Sequence, residues 1–226
     1  MDGILQARDG WEESIASAIA SVPRPIAIDP RLQARARGGP IDRARWDRST
    51  MPPARDAATL ILLYPDEAGA LHLPLTVRHA DLRAHAGEIS LPGGAVDPGD
   101  PSATDAARRE AWEELGVEPS AVRILGELDP IWIPVSNYEL RPFVGATDAR
   151  PRFTPHDREV AEVFEMPIDI LLDPNALREE EIELPGIVLS TGVYRHAGQR
   201  IWGATARTLA MFATVLRAAG LASGAS

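Results

Sequence analysis

From residue 58 onward the chain alternates short apolar runs with turn-forming residues. Thr59 to Tyr64 and Leu71 to Arg78 are two such runs. Pro65-Asp66-Glu67-Ala68-Gly69 between them has the turn chemistry of a hairpin. Ile89 to Leu91 suits a brief strand, and the Pro92-Gly93-Gly94 that follows predicts a turn. Val122 to Leu128, Glu139 to Val144 and Glu159 to Glu165 read as further strands, and Val193 to Trp202 as a last hairpin. Helices are expected over Glu13 to Val22, from a Ser102 or Thr104 cap to Leu115 with Gly116 as the stop, over Pro167 to Leu172, and over Ala204 to Ala219. Strands and helices interleave without strict βαβ repetition and without internal repeats. The pattern predicts an α/β (α+β) fold, a mixed β-sheet sandwiched between helices. It divides into an N-terminal helix and Arg/Pro-rich connector over 1–57, one domain over 58–219, and a flexible tail over 220–226.

Composition removes several chemistries. The chain has no cysteine, so thiol nucleophiles, disulfides and zinc–thiolate sites are excluded. All 23 basic residues are arginine, which excludes Schiff bases and the lysine of a phosphate-binding P-loop. No G-x-S-x-G elbow is present. The net charge of −10 argues against nucleic acid as a partner. No apolar run approaches the roughly 18 to 20 residues of a membrane span, and the acidic, interrupted N-terminus is unlike a secretory signal. The expectation is a cytoplasmic protein acting on a small molecule, with no membrane partner and with a homodimer left open. Residues 30–55 form a local exception in charge, with Arg31, Arg35, Arg37, Arg43, Arg45, Arg48 and Arg55 against Asp42 and Asp47. They read either as a solvated basic loop or as a flap that touches phosphate.

The stretch from Gly93-Gly94 to Val117 carries the candidate chemistry. On a helix, Glu110, Glu113 and Glu114 fall within an arc of about 100°, with Ala103, Ala106 and Ala107 in it or at its edge and Arg108 and Arg109 outside it. Three carboxylates there without basic partners repel one another. A hard divalent cation reverses that penalty, whereas a solvated acidic face needs none. The alanines favour the first reading, because small residues imply that something packs close to the carboxylates. Paired glycines let backbone groups approach a ligand.

This segment resembles the Nudix box, G-x5-E-x7-R-E-U-x-E-E-x-G-U, with U a bulky apolar residue. Arg109, Glu110, Glu113, Glu114, Gly116 and Val117 match its second half. Ala111 replaces a bulkier residue, one extra residue separates Gly94 from Arg109, and Asp100 lies where the first glutamate would be. That spacing is similar to the coenzyme A pyrophosphatase branch, whose P-G-G-x-x-D-x-x-D is matched by Pro92 to Asp100. Leu75-Thr76, Arg78, Arg83, Gly87 and Pro92-Gly93-Gly94 resemble the branch's upstream signature, although Pro74, His79 and Leu91 depart from it. Ile201-Trp202-Gly203-Ala204-Thr205-Ala206 resembles its C-terminal run, and Glu159 to Phe164 the segment after its last long loop. The Ile133 to Tyr138 region matches loosely.

The resemblance implies a Nudix fold and cleavage of a pyrophosphate bond with Mg²⁺ or Mn²⁺, in coenzyme A or its derivatives. Another nucleoside diphosphate derivative as substrate, or a silent binding module, are the alternatives. Glu110 and Glu114 are the implied metal ligands, with the Gly94 carbonyl and Glu113 as further candidates. Arg109 orients the glutamates and Gly116 is structural. Glu113, Glu159 and Glu162 are the candidates for general base, with Glu114 also in the catalytic set. Arg78 and Arg83 are the candidates for binding a 3′-phosphate. His85 is expected to be structural or to support a site residue from behind, and Trp132 and Tyr138 either stack on adenine or lie in the core.

Overall fold

The computed structural model describes residues 6–37, 47–79, 88–184 and 187–221. Arg83, His85, Arg43 and Arg45 lie outside the described residues.

The central strand is β2 (Arg55–Pro65), whose middle is buried on both faces. Ala58, Leu60, Leu62 and Tyr64 pack on one side, and Ile61 and Leu63 on the other. This period-two split accounts for the continuous apolar run and divides the domain into two cores. Around β2 an eight-stranded mixed sheet assembles. β3 (Leu71–Arg78), β4 (Ile89–Ser90), β5 (Gly93–Ala95), β6 (Arg123–Glu127), β7 (Ile131–Ile133), β8 (Tyr138–Ala146) and β9 (Val160–Pro167) complete it. β2 runs parallel to β8 and antiparallel to β3 and β5. The β2–β3 hairpin forms as expected: the Asp66 carboxylate accepts from the backbone N–H groups of Ala68 and Ala70, and Gly69 takes the left-handed conformation at φ 84°.

Helix α2 (Ala103–Leu115) covers one face of the sheet. Helices α1 (Trp11–Ser21) and α3 (Gly203–Ala218) cover the other. This is the sandwich of a mixed sheet between helices that the pattern implied. Ile15, Ala18 and Ile19 of α1 are buried in the same core as α3, so residues before 57 contribute to that layer.

A second, four-stranded sheet is the main departure. β1 (Arg35–Arg37), β10 (Leu177–Leu184), β11 (Ile187–His196) and β12 (Gln199–Ile201) form it. The expected Val193–Trp202 hairpin is the β11–β12 turn of this sheet, with Ala197 and Gly198 at positive φ. The Pro92-Gly93-Gly94 turn is corrected: Gly93-Gly94 belongs to β5 and pairs with β2. The Pro167–Leu172 helix is corrected to a 3₁₀ segment over Ile168–Leu172, a form suited to short pieces. The arginines of 30–55 are partly occupied by the protein itself. Arg31 pairs with Asp29 and Arg48 with Glu139, and Arg55 lies 4.2 Å over the Tyr138 ring.

Candidate active site

Helix α2 begins where Ser102 Oγ accepts from the Asp105 N–H and ends at Gly116, left-handed at φ 72°, the position glycine tolerates without strain. Its buried face is Ala103, Ala106, Ala107, Ala111, Glu114 and Leu115. The alanines face β2 and let the helix lie close to the sheet, so what packs against them is protein. A consequence is that Glu114 is carried inward with them and is 3% exposed.

The β5 glycines fit around that helix. A Cβ on Gly93 would meet the Ala58 carbonyl oxygen at 2.5 Å, and one on Gly94 would run into Glu110 Oε1. Neither glycine has the positive φ that only glycine accepts freely, so close approach is what requires them. The Glu110 carboxylate thus occupies the space beside the Gly94 backbone, and the backbone N–H of Gly93 acts to lower the Glu114 pKa. Two glutamates one helical turn apart are brought to the same strand.

Their electrostatics are those of crowded anions. Burial, then the neighbouring Glu110 charge, pushes the Glu114 carboxyl up to about 8, against the opposing influence of Arg78. Burial also raises Glu110, with Arg109 opposing. Glu114 Oε1 lies 3.8 Å from Arg78 Nη1. Among the described residues, Glu114 Oε2 and Arg78 Nε are buried without a hydrogen-bond partner. No three acidic or histidine side chains converge on one point among the described residues. The nearest arrangement is the Glu110–Glu114 pair, with Glu159 among the charges that raise both.

Arg109 links the cluster together. Its Nε and Nη2 donate to the two oxygens of Asp100, both at 2.9 Å. Its Nη1 donates to Glu110 at 2.9 Å and to Glu113 at 3.0 Å, and Nη2 donates also to the Ala95 carbonyl. Asp100 is held below the usual carboxylate range by this fork. The picture of three glutamates without basic partners is therefore corrected. Arg109 wraps back along the helix from outside the arc and pairs with two of them as well as with Asp100, and Glu114 lies beside Arg78.

The other candidates are distributed by the strands. Arg78, at the end of β3, reaches Glu114. Residues 154–156 zip onto the helix end, where the Thr154 N–H donates to the Leu115 carbonyl and the His156 N–H to the Glu114 carbonyl. A Cβ on Gly116 would meet Thr154 Oγ1 at 2.8 Å. These bonds satisfy carbonyls that a helix end leaves open and bring Glu159 beside Glu113, Trp112 and His156. Glu162 is not brought in: it shares its strand face with Phe164 and Met166, which pack in the core on the α1–α3 side. Trp132 donates to Asn137 within the β7–β8 hairpin, and Tyr138 of β8 lies under Arg55 of β2. The aromatic that does border the carboxylates is Trp112, 52% exposed. An apolar ring at an outward helix position between acids was the signal for it. A larger cleft of about 570 Å³ lies between α1 and Arg123, but Arg123 is already paired with Glu12 and Asp148, and none of the site glutamates lines it.

Comparison with known proteins finds relatives of this chain. A Pectobacterium atrosepticum protein named Uncharacterized Nudix hydrolase NudL is 46% identical over 117 residues, which span 51% of this chain and 58% of that relative's length. A Yersinia pestis protein of the same name is 39% identical over 134 residues, covering 59% of this chain and 67% of the relative. A MutT/nudix family protein of Enterococcus faecalis superposes with a TM-score of 0.48 at 18% identity, over 75% of this chain and 69% of that one. The NUDIX domain matches residues 54–184, a span that contains β5, α2 and all of the clustered glutamates, and the chain belongs to the Nudix family.

Proposed function

We propose that this protein is a divalent-metal-dependent hydrolase that opens the pyrophosphate bond of coenzyme A or its derivatives, giving 3′,5′-ADP and (acyl-)4′-phosphopantetheine. The observation that carries the chemistry is Glu114: a buried carboxylate with one oxygen unpaired, beside a second buried carboxylate and a strand of two glycines. Burying such a pair is costly unless a cation joins it. The residues present fit one: Glu110, Glu114 and the Gly94 carbonyl are hard oxygen donors suited to Mg²⁺ or Mn²⁺. Such an ion, when bound, neutralises phosphate charge and acidifies water.

The chain's own groups supply the remainder. Arg109 holds Glu110 and Glu113 in place. Arg78, beside Glu114, offers positive charge to the pyrophosphate itself, a role closer to the reacting bond than a distant 3′-phosphate. Reading the 3′-phosphate is left to Arg83. Glu159 receives the proton of the attacking water, with Glu113 as the alternative; Glu162 is exposed on the opposite face of β9. Coenzyme A as substrate is supported by the match of Pro92 to Asp100, of Arg78 and Arg83, and of Ile201 to Ala206 to the patterns of that branch.

The test is a mass-spectrometric screen with Mg²⁺ over coenzyme A, its thioesters, NADH, dinucleoside polyphosphates and nucleotide sugars. Coenzyme A should be cleaved fastest, with 3′,5′-ADP as a product. A nucleotide sugar or dinucleotide cleaved faster keeps the chemistry and replaces the substrate. Inorganic phosphate as the first product contradicts the reaction.

A further inference from the structure

The connection from β8 to β9, residues 147–159, contains no helix or strand, yet it is tied down along its length. At its base, Arg150 Nε and Nη2 donate to the two oxygens of Glu165 on β9, at 2.8 and 2.7 Å. The Tyr64 hydroxyl donates to the same carboxylate at 2.8 Å, and residues 150–165 are thereby closed into a loop. Phe153 stands edge-on to the Tyr64 ring, 5.7 Å between centroids, with the Arg150 guanidinium 5.5 Å over its own ring. It packs against the core that α2 shares with β2. Pro151 and Pro155 flank it and restrict the backbone on both sides. Directly after Phe153, the Thr154 and His156 N–H groups donate to the Leu115 and Glu114 carbonyls of α2. The Glu159 and Val160 N–H groups then both turn back to the His156 carbonyl. Glu159 is thus placed from one side by the pairing of β9 with β3, and from the other by the segment that Phe153 anchors. An ion pair as exposed as Arg150–Glu165 contributes little alone, which leaves the packed ring as the main anchor.

We infer that Phe153 is a positioning residue for Glu159. Its ring, held by Tyr64 and Arg150, keeps residues 154–156 docked on α2 and the Glu159 carboxylate beside Glu113. The inference rests on the reading of Glu159 as the acceptor of the water's proton. Misplacing such a group by about 1 Å costs on the order of a hundredfold in rate.

The test joins amide hydrogen exchange to turnover of coenzyme A with Mg²⁺. The full chain carries Phe153→Ala, Phe153→Leu or Arg150→Gln, each alone and combined with Glu159→Gln. Phe153→Ala should speed exchange at Thr154 and His156 while β2 stays protected. It should lower kcat by about tenfold or more and leave KM nearly unchanged. Phe153→Leu should recover most of both effects, and Arg150→Gln should show a smaller loss of the same kind. In the Glu159→Gln background, Phe153→Ala should cost no further kcat, because the group it places is already gone. Should Phe153→Ala expose β2 as well, Arg150→Gln carries the same comparison in both backgrounds. Unchanged exchange at Thr154 and His156, or an equal fold loss of kcat with and without Glu159, overturns the inference and leaves the reading of Glu159 standing. Wild-type turnover in Glu159→Gln overturns that reading, and the inference with it. If coenzyme A is left intact, the substrate reading fails, while exchange at Thr154 and His156 still decides whether Phe153 holds the segment.

Discussion

Glu114→Gln should lower turnover by about two orders of magnitude or more, the scale of several kcal/mol of electrostatic stabilisation at a metal site, while leaving the fold intact. Glutamine keeps the shape of the side chain but contributes no charge to a bound cation. The same substitution has a signature in stability. In the folded protein the Glu114 carboxyl is raised from 4.5 to about 8, chiefly by burial, so folding favours its protonated form. That contribution is fully present below about pH 4.5 and is lost as the pH climbs toward 8. In a chelator the wild type should therefore lose thermal stability over this window, and Glu114→Gln should lose less. Added Mg²⁺ should raise the wild-type Tm most at the alkaline end, since binding replaces the proton. Thermal melts from pH 5 to 8, with and without metal, check the sign. Near-wild-type turnover in a folded Glu114→Gln protein would remove Glu114 from the site.

Arg109→Ala should be the most damaging substitution to stability at the site. It leaves the Asp100 side chain, 7% exposed, and that of Glu110, 14% exposed, without the cation that pairs them, and it frees the Ala95 carbonyl. Stranding a buried partner in this way costs about 3 to 5 kcal/mol. Arg109→Lys should recover only part of it, because an ammonium cannot form the two parallel bonds to Asp100 while reaching Glu110 and Glu113. Double substitution with Asp100→Asn should cost less than the sum of the single changes, since one stranded charge is removed with its partner. Urea denaturation of the four proteins checks this; strict additivity would show that Asp100 and Arg109 do not act as a pair.

Much of this arrangement was legible in the chain. The apolar run of β2, the Asp66–Gly69 turn and the capped helix ending at Gly116 each carry a local signal that tertiary contacts did not override. The glutamate spacing placed Glu110 and Glu114 on one side of a helix. Four features were not legible, for identifiable reasons. β10 is written Leu-Arg-Glu-Glu-Glu-Ile-Glu-Leu, and its acids hide a strand because their partners, Arg195 and Arg200 with Glu180, come from β11 and β12. The glycines of β5 read as a turn because their reason, the approach of Glu110 and Ala58, is long-range in sequence. Arg109 was placed off the acidic arc by helix angle alone, which ignores the reach of a long side chain. Glu159 and Glu162 look equivalent in sequence, and only the docking of residues 154–156 on α2 and the strand facing of β9 separate them.

If Glu110 and Glu114 together hold a divalent ion, a Mn²⁺ titration followed by electron paramagnetic resonance reads it without turnover. The wild type should take up Mn²⁺ with an affinity that falls at least about tenfold in Glu110→Gln and in Glu114→Gln, by analogy with the loss seen even for residues that merely support metal ligands. Glu180→Gln, in the second sheet, should bind as the wild type does. Unchanged Mn²⁺ affinity in Glu110→Gln and Glu114→Gln would contradict the account.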